Sequence, residues 1–529
     1  MAREPLGALD GREFDVAVIG AGLNGCGAAQ HLAAAGYTVF LADKGDYASG
    51  SSSRSSRMLS GGIRYLAPGD SIWEFVRHPG QLLTALGMAK AAMATRSQFV
   101  NTTPERAHNL TFSFPIYRGD PYKPWQVRLA FRMLEMLGPG DLPLGFKMLT
   151  PAEALKLPLL EWLREPERLL SAGRYHEYQF HWPERIAMDT VLDAERMGAT
   201  ARNYTTVTAM AREGDGRWRL DLADGLGEAG SAAIRARVVL NMAGIWIDRV
   251  NAMAGEGAGR KILGTKGIHL AVRLPPRCKD QGIMGLNREG EHLYCFPWRD
   301  LHYFGPTETV YEGEIDEIQP EDEEIDWLIE EVNHLLPSLG FRRQDVLFTW
   351  AGVRPLTYDP AEPMGARRRQ VHDMAREGMP GVLAMTAGPV MTHRSAGMEL
   401  RDAVAKRIEP SGAAQEISYE PRRFPENQNS PPLLNHFTEV KLSDLRHAAE
   451  HEHCTDLIDI LFRRVGAGWS ETMAREAARK AAEEVAGPMG WDAERVDAEV
   501  AKYEAYLARN HRVGTAGLYG GGRRVLGGE

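Results

Sequence analysis

Residues 14–46, FDVAVIGAGLNGCGAAQHLAAAGYTVFLADKGD, decide the fold of the amino-terminal part of the chain. An apolar run predicts a buried strand, a glycine turn follows, an alanine-rich segment predicts a helix, and a second apolar run ends at Asp43. Gly20, Gly22 and Gly25 form the GxGxxG pattern directly after the first strand. This order of elements predicts a βαβ unit that binds a dinucleotide.

The residues of this pattern have separate tasks. Gly20 permits a tight turn, Gly22 lets the backbone approach a pyrophosphate, and Gly25 lets helix and strand pack closely. Asp43 lies 23 residues after Gly20, near the usual spacing, and would accept hydrogen bonds from an adenosine ribose. Cys26, inside the pattern, is interpreted as a small packing residue and not as a nucleophile.

Two later segments extend the nucleotide-binding part. Residues 236–250, ARVVLNMAGIWIDRV, predict a strand that runs into Gly244, and residues 381–404 predict a strand, a turn at Gly388 and a helix. We therefore expect an α/β fold whose discontinuous nucleotide-binding domain is Rossmann-like. The expected domains are 14–66, 181–259 and 351–410 for the cofactor, 67–180 and 260–350 as a mixed-sheet substrate domain, 430–512 as a C-terminal all-helical domain, and 513–529 as a tail.

The composition excludes several classes of protein. Hydrophobic residues make up 43% and charged residues 25%, which is ordinary for a compact soluble protein. The formal charge of -9 argues against a nucleic-acid binder. Four scattered cysteines indicate a reducing compartment, and we expect a cytoplasmic protein. No apolar run reaches the roughly 18 residues of a spanning helix, although an amphipathic patch would suffice for peripheral attachment to the inner face of a membrane.

Longer quoted motifs carry a resemblance to a known family. They are VIGAGLNGCGAAQHLAAAGYTVFLAD, SSSRSSRMLSGGIRYL, NMAGIWI, TKGIHLAV, FPWRDLHYFGPTE, TWAGVRPL, AGPVMTHR and the helical segment from DLRHAAEHE to GWDAERVDAEVAKYEAYLA. The chain resembles the FAD-dependent glycerol-3-phosphate dehydrogenases, a branch of the D-amino acid oxidase-like flavoproteins. The resemblance covers nearly the whole chain and implies a Rossmann-like FAD-binding domain, FAD as cofactor and a homodimer.

The resemblance also implies roles for individual residues. Ser52 and Ser53 would lie along the FAD pyrophosphate and flavin, although a polar surface loop is the structural alternative for the serine-rich stretch. The implied cofactor-binding residues are Gly20, Gly22, Asn24, Gly25, Asp43, Lys44, Ser52, Ser53, Val207, Gly244, Gly388 and Thr392. The implied catalytic residues are His269, Arg354, Arg64 and Tyr65, and the implied substrate contacts are Arg64, Tyr65, Arg354, Arg394 and His393.

Two of these roles follow from chemistry as well. The planar guanidinium of Arg354 suits a phosphate or carboxylate in a bidentate arrangement. Oxidation of a secondary alcohol requires removal of the hydroxyl proton while hydride leaves carbon for flavin N5, and a histidine such as His269 suits the first task. The paired His447 and His451 lack an evident third ligand, so we predict no metal site.

The chain departs from the family at two positions. Ser60 stands where the family has a histidine, and Pro389 stands where it has a lysine that holds substrate phosphate. Loss of one charge-assisted hydrogen bond costs about 1.5 to 3 kcal/mol. Either another cation compensates, with Arg57, Lys266 and Arg394 as candidates, or the substrate differs. The segment 67–108, with Trp73, Phe75 and Phe99, also looks longer than its counterpart and could reshape the pocket or touch a membrane.

Three readings of the function follow. The first is a dehydrogenase that oxidises a hydroxyl of a small polyol or polyol phosphate and passes electrons to a quinone or another acceptor. The second keeps the flavin but acts on a non-phosphorylated alcohol, hydroxy acid or amine. The third is a flavin-binding paralogue without catalysis, and a nicotinamide-dependent enzyme is the remaining alternative.

Overall fold

The structure is a computed structural model of the 529-residue chain, and it describes residues 3–66, 77–227, 230–255, 257–512 and 526. Trp73, Phe75 and nearly all of the predicted tail lie outside these residues. The described strands, in chain order, are β1 (Glu13–Ile19), β2 (Val39–Ala42), β3 (Met58–Leu59), β4 (Ala107–Tyr117), β5 (Lys147–Leu149), β6 (Leu169–Phe180), β7 (Thr200–Arg202), β8 (Thr205–Arg212), β9 (Trp218–Asp224), β10 (Ser231–Asn241), β11 (Ile262–Val272), β12 (Gln281–Leu286), β13 (His292–Trp298), β14 (Leu301–Gly305), β15 (Thr309–Val310), β16 (Phe348–Asp359), β17 (Glu362–Ala366), β18 (Gln370–Asp373) and β19 (Val382–Thr386).

The helices complete the inventory of the described residues. They are α1 (Leu23–Ala34), α2 (Pro79–Thr102), α3 (Pro124–Leu137), α4 (Pro151–Ala154), α5 (Pro183–Arg196), α6 (Ile247–Ala252), α7 (Asp322–Leu335), α8 (His393–Ala405), α9 (Leu442–His451), α10 (Ala478–Met489) and α11 (Ala493–His511). None of these helices is long and apolar enough to cross a membrane.

The first sheet holds the predicted βαβ unit at its centre. Its strand order is β18, β19, β10, β1, β2, β7, with β9 and β8 continuing from β10. Strands β19, β10, β1, β2 and β7 are parallel, so Val16 lies opposite both Val238 and Val39. Helix α1 packs against α5 and α8. Because apolar residues pack against both faces of β1 and β2, their segments 16–19 and 39–42 are continuously apolar.

The second sheet is mixed and large. Its order is β17, β16, β11, β14, β13, β12, β4, β6, β3, with β15 and β5 at its margins. Most neighbours are antiparallel, whereas β12 and β4 are parallel. The predicted boundary at residue 351 divides β16, since β16 and β17 pair within this second sheet. The segment that returns to the first sheet therefore begins after β17.

The helical region after residue 430 packs on the second sheet. Helices α9, α10 and α11 and a π-helical turn at Asp459–Arg464 share one apolar core with the sheet. Within that core, Trp469 contacts Trp298 of β13 and Trp350 of β16. The predicted α/β fold with a mixed sheet and a C-terminal helical region is confirmed.

Candidate active site

The glycine turn between β1 and α1 forms the floor of a cavity of about 670 Å³. Gly20 has φ +103, and a Cβ atom there would lie 2.6 Å from the Met242 carbonyl oxygen, so only glycine fits. A Cβ atom on Gly22 would lie 3.2 Å from the Ser52 hydroxyl oxygen. That hydroxyl accepts a hydrogen bond from the Leu23 N–H at 3.0 Å. The turn and the serine-rich stretch thus enclose one space at the start of α1.

Asp43 closes the other side of this cavity at the end of β2. Its carboxylate accepts the Ala21 N–H at 2.7 Å and the Gly45 N–H at 2.9 Å. Burial raises the pKa of Asp43 to about 6, against the lowering effect of these two hydrogen bonds. The two backbone hydrogen bonds therefore hold the carboxylate in place at the cavity wall, as recognition of ribose hydroxyls requires.

A second cavity, of about 330 Å³, continues from the first. The two cavities share six lining residues, namely Ser51, Arg54, Val353, Pro355, Gly388 and Val390. The second cavity lies against the face of the second sheet, whereas the first lies at the carboxyl ends of β1 and β2. The two cavities therefore form one continuous space that extends from the glycine turn to the second sheet.

Three arginines converge on one carboxylate in the second cavity. Arg64 Nη2 lies 3.5 Å from Glu308 Oε2, and Arg354 Nη1 lies 4.0 Å from Glu308 Oε1. Arg367, which follows β17, also donates to Glu308. Arg354 Nη1 is buried and has no hydrogen-bond partner among the described residues. Burial lowers the pKa of Arg354 to about 10, so its guanidinium stays charged at neutral pH.

His269 lies on β11 within the same cavity. Its ring stacks on the Trp350 indole across the β11–β16 pair, with centroids 4.8 Å apart. Both ring nitrogens are buried without a partner among the described residues. Burial lowers the pKa of His269 well below 6.5, and the charges of Arg57 and Arg354 lower it further. The imidazole is neutral at neutral pH and forms part of the cavity wall.

Glu177 of β6 contributes a buried carboxyl to the cavity wall. Its oxygens accept the Gly61 N–H at 3.0 and 2.9 Å, and the Ser60 hydroxyl donates to it at 3.3 Å. Arg96 Nε lies 3.7 Å away. Burial raises the pKa of Glu177 to about 7. Glu177 thereby anchors the turn that leads into Arg64.

The sequence profile of the DAO family, described as FAD dependent oxidoreductase, matches residues 15–394 of this chain, which is more than half of its length. This chain is a DAO-family oxidoreductase. The resemblance stated from sequence, FAD as cofactor and the assignment as an enzyme are thereby confirmed.

Similar proteins agree with this assignment. A glycerol-3-phosphate dehydrogenase of Synechocystis is 28% identical over 412 residues, covering 75% of this chain and 71% of that protein. An aerobic glycerol-3-phosphate dehydrogenase of Staphylococcus haemolyticus is 27% identical over 403 residues, covering 76% and 68%. The structure of the Bacillus halodurans glycerol-3-phosphate dehydrogenase complexed with FAD aligns with TM-score 0.71 at 19% identity, covering 98% of both chains, and shows the same fold.

The residues that the sequence predicts to bind FAD line the first cavity, with two exceptions. The cavity-lining ones are Gly20, Gly22, Asn24, Gly25, Asp43, Lys44, Ser52, Val207, Gly244 and Gly388. Asn24 donates to the Gly388 carbonyl at 2.7 Å, and its Oδ1 is buried without a partner among the described residues. This orphaned acceptor beside the glycine turn fits a hydrogen-bonding ligand such as FAD.

Ser53 and Thr392 are the two exceptions. The Ser53 hydroxyl donates to the Gly50 carbonyl at 3.0 Å, and the Thr392 hydroxyl donates to the Pro389 carbonyl at 2.9 Å. Neither side chain lines either cavity because each is used to close its own turn. The structure therefore does not place these two side chains at the cavity expected to bind FAD.

Arg394 and His393, which the sequence predicts to contact the substrate, lie outside the second cavity. Arg394 donates to the hydroxyls of Thr102 and Thr103 and stacks on Tyr419 with its Cζ 3.9 Å from the ring centroid. His393 is buried behind the loop, with Nδ1 3.1 Å from the Val390 carbonyl oxygen. Both residues lie in the first turn of α8, and neither lines the second cavity. The structure therefore does not place either of them at the expected substrate site. Arg64, Tyr65, His269 and Arg354 do line that cavity.

Two of the cations expected to compensate for the missing lysine, Arg57 and Lys266, do not line the second cavity. Lys266 pairs with Glu324 at 2.7 Å at the start of α7. Arg57 is fully buried among three indoles, with its Cζ 4.0 Å from the Trp298 ring, 4.9 Å from Trp350 and 4.5 Å from Trp469. Arg367 does line the second cavity, although the sequence did not predict it as a site residue.

The C-terminal helical region also contributes to the first cavity, which lies at the glycine turn. Asp456, Ile458, Arg463 and Tyr506 line it. Arg463 and Arg464 both pair with the buried Asp46, which follows Asp43 by three residues. No local signal in the sequence indicates these contacts.

Proposed function

We propose that this oxidoreductase oxidises a secondary hydroxyl of a small polyol phosphate similar to glycerol 3-phosphate. When bound, FAD supplies the acceptor for the hydride that leaves the alcohol carbon. The observation that carries the proposal is the group of Arg64, Arg354 and Arg367 around Glu308.

The charge of this group favours a phosphate over a carboxylate. Three guanidinium groups and one carboxylate leave a net charge of +2, while a phosphate monoester carries about −1.5 to −2 at pH 7. A carboxylate would neutralise only half of that charge. The guanidinium fork also matches phosphate oxygens in a bidentate arrangement, and Arg354 Nη1 has no hydrogen-bond partner among the described residues, so it is free to donate to a phosphate oxygen. Arg367 thus takes the part of the lysine that Pro389 replaces.

His269 is the group we assign to the hydroxyl proton. Its neutral imidazole has an unpaired nitrogen with which to accept a proton, and the stack on Trp350 fixes the plane of the ring. The nearby charge of Arg354 disfavours the imidazolium, so the accepted proton must be passed on before the next turnover. Glu177 and Ser60 hold the turn that positions Arg64 and Tyr65.

Anaerobic mixing of the FAD-loaded protein with glycerol 3-phosphate tests the proposal. The flavin absorbance should bleach, and D-glycerate, which carries a carboxylate in place of the phosphorylated hydroxymethyl group, should require about ten- to a hundredfold higher concentration. Faster bleaching by D-glycerate, or bleaching by neither compound, would refute it.

A second candidate substrate is an amine, because Glu177 places a buried carboxylate in the cavity wall. A carboxylate can pair with a substrate ammonium, and Pro389 removes a cation that would repel it. The same anaerobic assay with glycine, sarcosine and L-proline distinguishes this candidate, which requires bleaching by an amine in preference to glycerol 3-phosphate.

For the electron acceptor we propose a quinone at a membrane surface. Leu83 of α2 and Trp125, Leu129 and Met136 of α3 are exposed. Arg128 and Arg132 share the exposed face of α3 with its apolar residues. Co-sedimentation with anionic vesicles, but not with zwitterionic ones, should follow and should be lost in Trp125→Ala. The expected homodimer is checked by light scattering on the same samples.

A further inference from the structure

The inner part of the second cavity is an aromatic chamber, by which we mean the group Phe112, Tyr175, Met284, Tyr294 and Phe296. These residues lie on β4, β6, β12 and β13, on the face of the second sheet. None of them lines the first cavity, at the glycine turn. The chamber therefore lies beyond the junction where the two cavities meet, on the side away from the glycine turn.

The chamber has a defined shape. The rings of Tyr294 and Phe296 stack with centroids 5.0 Å apart and planes at 11°. Phe112 presents its ring at 88° to Tyr294 and at 81° to Phe296. Strand pairing fixes these positions, because Met284 lies directly opposite Tyr294 in the β12–β13 ladder. The wall is preformed and needs no rearrangement to receive an apolar group.

Glycerol 3-phosphate does not match this wall. Its carbons carry hydroxyl groups, and a hydroxyl buried against apolar rings without a partner costs free energy. Apart from the hydroxyls of Tyr175 and Tyr294, the polar groups that such a molecule needs lie elsewhere in the cavity, at the arginines, His269 and Glu177. The space between the ring faces would then be left to water, which ring faces bind weakly.

We propose that the natural substrate is an anionic alcohol that bears an apolar, ring-sized substituent, and that the aromatic chamber holds this substituent. The proposal rests on the function proposed above and specifies its substrate class. The arginines hold the anionic group, His269 faces the hydroxyl, and the substituent packs edge-on to Phe112 and flat on the pair formed by Tyr294 and Phe296.

The test compares three probes on the anaerobic FAD-loaded protein: glycerol 3-phosphate, 1-O-phenylglycerol 3-phosphate and ribitol 5-phosphate. Burial of one phenyl group should lower the Kd of the phenyl ether about ten- to a hundredfold relative to glycerol 3-phosphate. Equal Kd values, or tightest binding of the longer polyol ribitol 5-phosphate, would overturn the inference while leaving the proposed function intact. If none of the probes reduces or perturbs the flavin, the proposed function itself fails.

Variants locate the effect in the chamber. Tyr294→Ala should reduce the ratio of the two Kd values several-fold, and Met284→Ala provides a second measurement should the first variant fold poorly. Tyr358→Ala is the matched control, since Tyr358 is exposed and lies outside both cavities. A ratio that stays unchanged in both chamber variants, or that falls equally in the control, would contradict the placement of the substituent.

Discussion

Replacement of Arg367 by methionine tests the arginine group most directly. The change keeps an apolar stem of similar length but removes the guanidinium, so the net charge around Glu308 falls from +2 to +1. One charge-assisted hydrogen bond to substrate is worth about 1.5 to 3 kcal/mol. The Arg367 side chain is 38% exposed, and solvent screening places the effect near the lower value. We expect the KM for glycerol 3-phosphate to rise about tenfold.

The assay is steady-state oxidation of glycerol 3-phosphate with an artificial dye as acceptor, at two ionic strengths. The KM should rise while kcat changes little, because Arg367 is assigned to holding the phosphate in both ground and transition states. Arg368→Met is the control, since the Arg368 side chain lies outside both cavities. An unchanged KM in Arg367→Met, or an equal rise in the control, would refute the assignment of phosphate to this arginine group.

Three further predictions concern other parts of the site. His269→Gln should lower kcat about 10²- to 10⁴-fold with the flavin content unchanged, measured by turnover and absorbance; retained kcat would exclude His269 as the base. Gly22→Val should abolish FAD retention on gel filtration, because the new side chain would displace the Ser52 hydroxyl; a yellow variant would contradict the placement of the pyrophosphate. Burial raises the pKa of Glu177 from 4.5 to about 7, so its stabilising contribution is complete below pH 4.5 and is lost as the pH rises through 7. Between pH 5 and 8 the unfolding free energy in urea should therefore fall by about 2 to 3 kcal/mol more for the wild type than for Glu177→Gln; parallel pH profiles would show that the carboxyl is not buried.

The glycine turn could be predicted because its determinants are local. Gly20, Gly22 and Asp43 lie within one βαβ unit, and each serves a backbone requirement that the neighbouring sequence reveals. The roles of these residues in FAD binding stay predictions, but their convergence on one cavity follows from the parallel order of β10, β1 and β2.

Arg367 could not be found in this way, because it follows a short edge strand and reaches the chamber only through the β16–β17 hairpin. Arg394 and His393 show the opposite failure. Their motif lies beside the flavin region, but the first turn of α8 directs both side chains behind the loop. Arg57 lies within the serine-rich stretch, where it has φ +57, yet its side chain packs among the indoles. Proximity in sequence thus identified the loop and not the direction of the side chain.

The position of Arg57 among three indoles makes the carboxyl-terminal helices an indispensable part of the catalytic unit. One cation joins Trp298 and Trp350 of the sheet to Trp469 of the helical region, and Trp350 in turn supports the His269 ring. A shortened protein ending before residue 430 would lack Trp469 beside the Arg57 guanidinium and would lack Asp456, Ile458, Arg463 and Tyr506 in the wall of the first cavity. An engineered protein that reuses the two sheets of this chain therefore has to include the carboxyl-terminal helices as well.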